Sequence, residues 1–288
     1  MELEKLTPPA TLGEGPCWHE GEQVLYWVDI LGRKLHRFDP AGEKDNHWEF
    51  DQLIGTVAPR AQGGLIISLE NGFASFDPSS GKVEPWESVE TSPETRFNDG
   101  KCDPAGRFWC GSMDKAEERT LGMLYRVTAD HVVTKVLGPV GISNGMGWSP
   151  DQTKMYYIDS PTRKVFVFDY DAASGEIMNR RPLFELTEKD GWPDGMTVDQ
   201  DGKIWLAQWA GACVTRRDPE SGKTLDRIDT PAPHTSACCF GGPDLTDLYI
   251  TTARKGLSDE QLEQYPDSGC LFRLKTSTKG SPTYPFAG

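Results

Sequence analysis

Glu14, Asn98, Asn144 and Asp194 stand at one matched point of a repeated sequence unit, each within two residues of a glycine. Together they offer oxygen donors carrying two negative charges. That set can neutralise a hard divalent cation and leave coordination positions for water and substrate. The chemistry open to such a site is polarisation of a carbonyl and acidification of a bound water. Histidine and cysteine are absent from the set, which speaks against a structural zinc centre. Arg96, two residues before Asn98, adds a planar donor fork suited to hydroxyl and carbonyl oxygens.

These residues are far apart in the chain, so only a repeating architecture brings them together. Residues 13–30 align without a gap on residues 143–160, setting Glu14 against Asn144, Trp27 against Tyr157 and Asp29 against Asp159. Residues 193–209 match 97–113 through an Asp/Gly turn and the tryptophans Trp205 and Trp109. Gly64 falls on Gly202, so Thr56 opens a further unit, and Pro243-Asp244 with Tyr249 makes Ala237 the opener of the last. The spacing, about 45 residues, is that of a propeller blade. The expectation is all-β: one domain over residues 1–288, a six-bladed β-propeller. Residues before Gly13 are expected to supply the last blade with an outer strand, so that the ring closes without an open sheet edge. In a propeller the first strand of each blade faces the central channel, so the polar openers should converge at one end of it.

Composition supports short strands and tight turns. The 288 residues include 30 glycines and 21 prolines, and runs such as Lys164-Val165-Phe166-Val167-Phe168 alternate. Only 257–265 reads as helical. A net charge of −14 argues against nucleic acid and anionic membrane surfaces as partners. Seven cysteines without a Cys-x-x-Cys spacing are expected to be reduced, mostly buried thiols. The first ten residues are acidic and proline-bearing, unlike a signal peptide, and no apolar run reaches the length of a membrane span. A cytoplasmic monomer or weak homo-oligomer is expected.

The motifs Leu12-Gly13-Glu14-Gly15-Pro16, Arg96-Phe97-Asn98-Asp99-Gly100, Ser143-Asn144-Gly145 and Pro193-Asp194-Gly195-Met196 resemble those of the SMP-30/gluconolactonase/LRE-like family. The similarity runs over essentially the whole chain. Near its end, residues 251–258 (TTARKGLS) resemble the bacterial sugar-lactonase branch. The resemblance implies that Glu14, Asn144 and Asp194 are metal ligands, that Asn98 contacts substrate or a metal-bound water, and that Arg96 hydrogen-bonds substrate oxygens. It also implies one divalent cation, with Ca, Zn, Mn, Mg and Fe(II) all left open. A substrate-contacting acid is implied after Gly111-Ser112-Met113, where Asp114, Glu117 and Glu118 all stand; Glu117 is put forward.

The expected activity is hydrolysis of a sugar lactone, an aldono-1,4- or 1,5-lactone, to the aldonic acid. Asp194 would be a ligand and possible general base. A calcium-binding scaffold without activity, or a metal-dependent esterase or phosphotriesterase on a non-sugar substrate, are the alternatives. His234 could overhang the channel mouth and accept a proton, or be structural. His19, His36, His47 and His131 are expected in turns or outer strands. Most tryptophans fit packing between blades, and Trp192 is the one placed to meet a sugar.

Overall fold

The computed structural model describes residues 3–90 and 92–288; Met1, Glu2 and Thr91 lie outside the described residues. The described residues are nearly all antiparallel β, with one short helix, Asp259–Gln264, and two 3-10 turns. Ser258 caps that helix by accepting from the Gln261 amide.

The strands fall into four-stranded antiparallel units. The first strands of successive units are Gly13–His19, Ile54–Pro59, Thr95–Cys102, Ser143–Trp148, Trp192–Val198 and His234–Gly241. The second strands are Val24–Asp29, Leu65–Leu69, Phe108–Asp114, Lys154–Asp159, Ile204–Trp209 and Asp247–Ala253. Burial falls off along each unit. Val24–Asp29 is wholly buried, whereas the fourth strands Lys44–Glu49 and Glu176–Glu185 are largely exposed. The first strands therefore carry small, apolar or functional residues, and the outer ones charged residues. A pairing of Trp209 with His234 joins the last two units into one eight-stranded sheet.

First strands of neighbouring units pack on one another, and that of the last unit packs on Gly13–His19. Their close approach needs glycine. A β-carbon on Gly145 would lie 2.5 Å from the Asp194 carbonyl oxygen, and one on Gly195 would lie 2.4 Å from the Ala237 β-carbon.

The last unit takes its outermost strand from the other end of the chain. Glu4–Lys5 pairs with Phe272–Lys275, Leu6 donates to the Leu271 carbonyl, and Arg273 pairs with Glu4 at 2.7 Å. Deleting residues 1–6 exposes the edge of Phe272–Lys275 and is expected to lower the melting temperature by several degrees. An unchanged melting curve would show that this pairing adds nothing to stability.

Two turns repeat a buried acid. Asp103 is fully buried and accepts from the amides of Ala105 and Arg107, from Arg107 Nε at 2.7 Å, from Trp109 Nε1 at 2.9 Å and from the Tyr170 hydroxyl at 2.8 Å. Asp199 does the same for Asp201, Lys203, Trp205 and Arg216. Each carboxylate satisfies a turn, a tryptophan and an arginine at once. The matched tryptophans are packing residues for this reason.

His36 and His19 depart from expectation. His36 lies in the third strand Lys34–Asp39, where its ring stacks on Trp27 at 3.9 Å and Nδ1 is 2.6 Å from Asp45 Oδ2; His19 ends a first strand. Strand alternation turns His36 onto the packed face. All seven cysteines are free thiols, and six are buried.

Past the openers, the first strands of all six units line a narrow cavity of about 80 Å³ with Ser281–Tyr284 on its wall. The C-terminal segment holds on to several units. Ser281 donates to Val198, Thr283 to Glu20, Phe286 to Pro59 and Ala287 to Gly106.

Candidate metal centre and substrate cavity

Each first strand carries a β-bulge at its opener. Register shifts fall between Glu14 and Cys17, Phe97 and Gly100, Ser143 and Met146, and Pro193 and Met196. A bulge re-aims one side chain and bends the strand. Here it directs the polar openers into a second, larger cavity of about 370 Å³, open to solvent. Glu14, Arg96, Asn98, Glu117, Asn144 and Asp194, all singled out from the sequence, line this one cavity. Thr56 does not reach it and bonds the Gly100 carbonyl instead, and Ala237 has no polar group to offer.

A hydrogen-bond relay fixes the neutral members. Arg96 Nη1 donates to Asn98 Oδ1 at 2.8 Å, and Asn98 Nδ2 donates to the Ser143 carbonyl at 3.0 Å and to Asn144 Oδ1 at 3.4 Å. Asn144 Nδ2 donates to Ser160 Oγ at 3.0 Å, which donates in turn to the Pro193 carbonyl at 2.7 Å. With its nitrogen committed, Asn144 is left to present its carboxamide oxygen as a ligand.

The charged members are under electrostatic tension. Glu14 is 5% and Asp194 4% exposed. Burial first, then the negative Asp99, pushes Glu14 up to about 8. Burial, Glu14 and Asp99 hold Asp194 well above the usual carboxylate range. Arg96 is pulled down to about 10 by burial, against the pull of Glu14 and Asp194, and it makes no ion pair among the described residues. Asp194 Oδ1 is buried with no hydrogen-bond partner. Two buried, mutually repelling carboxylates with an orphaned oxygen fit a bound cation, and the all-oxygen donor set fits a hard one. Among the described residues there is no cluster of three or more histidine, cysteine or carboxylate side chains that could hold a metal. The candidate set differs from such clusters because one of its members is a carboxamide.

Residues that follow second strands complete the walls. Glu117 comes after Phe108–Asp114, Ser160 after Lys154–Asp159, and Lys255 after Asp247–Ala253, while Trp209 ends its own strand. Of the three acids after Met113, Glu117 is the one in the cavity. Asp114 is buried against Arg119, and Glu118 is exposed. Lys255 Nζ pairs with Glu117 across two units. Trp192 is 40% exposed at the mouth, with the Arg163 guanidinium over its ring at 4.4 Å. His234 is outside the cavity lining; it stacks on Trp209 at 4.1 Å, with Nδ1 3.0 Å from the Lys255 carbonyl oxygen. Those contacts hold the ring against Trp209 and the Lys255 backbone, away from the cavity.

An antiparallel, propeller-like β protein with an acidic, cation-ready cavity at the bulged ends of its first strands is the class that fold and site define. Residues 12–254 match the SMP-30/gluconolactonase/LRE-like region, and the chain belongs to that family. It is 38% identical to YvrE of Bacillus subtilis strain 168, provisionally named a sugar lactone lactonase, over 97% of this chain and 96% of that one. It is 40% identical to the regucalcin of Danio rerio, over 96% and 95% of the two chains. Among solved structures, a regucalcin from Agrobacterium tumefaciens described as a calcium-binding protein superposes with a TM-score of 0.95 at 28% identity, covering 99% of this chain and 97% of that one. No helix among the described residues is long and apolar enough to cross a membrane.

Proposed function

We propose that this protein is a metal-dependent lactonase that opens an aldono-1,4- or 1,5-lactone to the aldonic acid, and that its units form a closed six-bladed propeller. The observation that carries the activity is the pair of buried carboxylates, Glu14 and Asp194, one with an orphaned oxygen, facing an open cavity beside the unpaired guanidinium of Arg96. The names borne by its relatives, lactone lactonase among them, support the same substrate class. The six first strands, each packed on the next, and the pairing of Glu4–Lys5 with the last unit support the closed ring.

Glu14, Asn144 and Asp194 would hold the cation. A divalent ion bound there supplies Lewis acidity toward the lactone carbonyl and toward water. The chain's own groups do the rest. Arg96 has donors left over to hold lactone or hydroxyl oxygens, and Asn98, tied to Arg96, sets the depth at which the sugar sits. Asp194 has a second oxygen able to take the proton of the attacking water. Water adds at the carbonyl carbon, the ring carbon–oxygen bond breaks, and the ring oxygen leaves as a hydroxyl. Glu117 accepts from a sugar hydroxyl, and Trp192 flanks the entrance.

The test is hydrolysis of glucono- and xylonolactone by purified protein before and after chelation, then with Mg, Mn, Fe(II), Ca or Zn restored. Chelation is expected to remove at least about 99% of turnover, with one or more of these ions restoring it. Full turnover in stripped protein defeats the metal-dependent reading. Phenyl acetate and paraoxon, run alongside, distinguish a lactonase from an esterase or phosphotriesterase. The calcium-binding description of the Agrobacterium relative favours one second reading, a calcium scaffold without turnover.

A further inference from the structure

Lys255 belongs to none of the roles above, yet it lines the same cavity as Glu14, Arg96, Asn98, Asn144 and Asp194. Its backbone is pinned. The amide donates to the Thr11 carbonyl at 3.0 Å, and the carbonyl oxygen is 3.0 Å from His234 Nδ1, whose ring is stacked on Trp209. The ammonium therefore starts from a fixed point and reaches into the cavity, where Glu117 takes one of its three donors.

Asp99, which acts on Glu14 and Asp194 from outside the cavity lining, is itself offset by Lys101, so the lining decides the local charge. A divalent cation on Glu14 and Asp194 cancels those two carboxylates, and Lys255 and Glu117 cancel each other. The buried Arg96 guanidinium then has no counter-charge among the residues lining the cavity. Arg96 and Lys255 also feel each other. Burial and the positive Arg96 weigh against the charged form of Lys255 and the negative Glu14 favours it, while the ammonium also pairs with Glu117. Glu117 offsets Lys255 alone, so an anion that joins both like-charged side chains, which come from different units, relieves the repulsion that remains. The neutral aldonolactone already proposed brings no such anion.

We propose that Lys255 makes this cavity selective for sugar lactones that carry a carboxylate of their own, at the chain end remote from the ring carbonyl. The inference rests on the lactonase reading. The carboxylate bridges Lys255 and the Arg96 side of the cavity, and the metal-binding residues keep the lactone end. Glu117 shares the ammonium rather than consuming it, and sets how deep the remote carboxylate can go.

The probes are D-glucono-1,4-lactone and D-glucaro-1,4-lactone, which differ only in bearing a hydroxymethyl or a carboxylate at that remote end. In metal-supplied wild type, kcat/KM is expected to favour the glucaro compound. Lys255→Met is expected to reduce the glucaro-to-glucono ratio at least about tenfold, and Lys255→Arg to keep it within about threefold of wild type. Calorimetric titration with D-glucarate and D-gluconate gives a readout independent of turnover. Glucarate should bind at least about tenfold tighter, and Lys255→Met should erase the preference. Wild type that opens the glucono compound but not the glucaro one overturns the inference and leaves the lactonase reading standing. So does a ratio that Lys255→Met leaves unmoved. If neither lactone is opened, the lactonase reading fails. Titration then decides the role of Lys255 by itself: a glucarate preference lost in Lys255→Met upholds anion selection, and no preference overturns it. Thermal melts of both variants verify that they are folded.

Discussion

Asp194→Asn is expected to lower kcat/KM on an aldonolactone by at least about a thousandfold, since it removes a charged cation ligand and the candidate proton acceptor in one step. In chelated protein the same change should raise stability. Two buried carboxylates repel there, and the variant keeps only one. The pH dependence has a definite sign. Glu14 has an ordinary value of 4.5 and a folded value near 8, so between those limits the folded state holds the proton that the unfolded state has released. Stability of the chelated wild type therefore falls as pH rises through that window, by as much as a few kcal/mol. Added divalent cation should offset the fall. Thermal melts from pH 5 to 8, with and without metal, read all of this. A chelated Asp194→Asn that melts below chelated wild type, with no lactone turnover in either protein, would favour the calcium scaffold instead.

The second large effect is far from the cavity. Asp103→Ala leaves Arg107, Trp109 and two turn amides without their shared acceptor in a fully buried position. It also cuts the contact with Tyr170, which belongs to the next unit. Breaking such a network costs about 3–5 kcal/mol, a fall in melting temperature on the order of 10 °C for a chain of this size. Asp103→Asn, which keeps an acceptor for the turn, should cost less. Lactone turnover at 25 °C should survive in whatever fraction stays folded. A shift of under about 2 °C for the alanine variant would contradict the account.

Much of this architecture was legible because it repeats. The openers match from unit to unit in the sequence, and Glu14, Asn98, Asn144 and Asp194 line one cavity. The repeat assigns no site role to Lys255 or Ser160, and it places Trp209 among the packing tryptophans. They sit at or just past the ends of second strands, where residue types vary from unit to unit and no alignment flags them. A topological signal was nonetheless available. A second strand runs antiparallel to the first, so its C-terminal end returns beside the opener, and whatever follows it must border the same cavity. The sequence puts Glu117 forward without excluding Asp114 and Glu118, and the structure supplies the reason: Asp114 is consumed by Arg119, and the loop's path turns Glu117 into the cavity. His36 packs inside its unit because Trp27 stacks on it and Asp45 bonds it, two partners that the sequence around it does not reveal.

The C-terminal segment gives the cavity a property that the metal-binding residues do not. Ser281–Tyr284 lie against the far stretch of all six first strands, and the segment from Ser281 to Ala287 is tied to four units, so it covers that end of the strands. Traffic is then restricted to one doorway. On the proposed lactonase reading, the acid product would leave by the mouth through which the next lactone enters, and the two would compete for it. Turnover at high conversion would then depend on how fast the doorway clears as well as on the chemistry behind it.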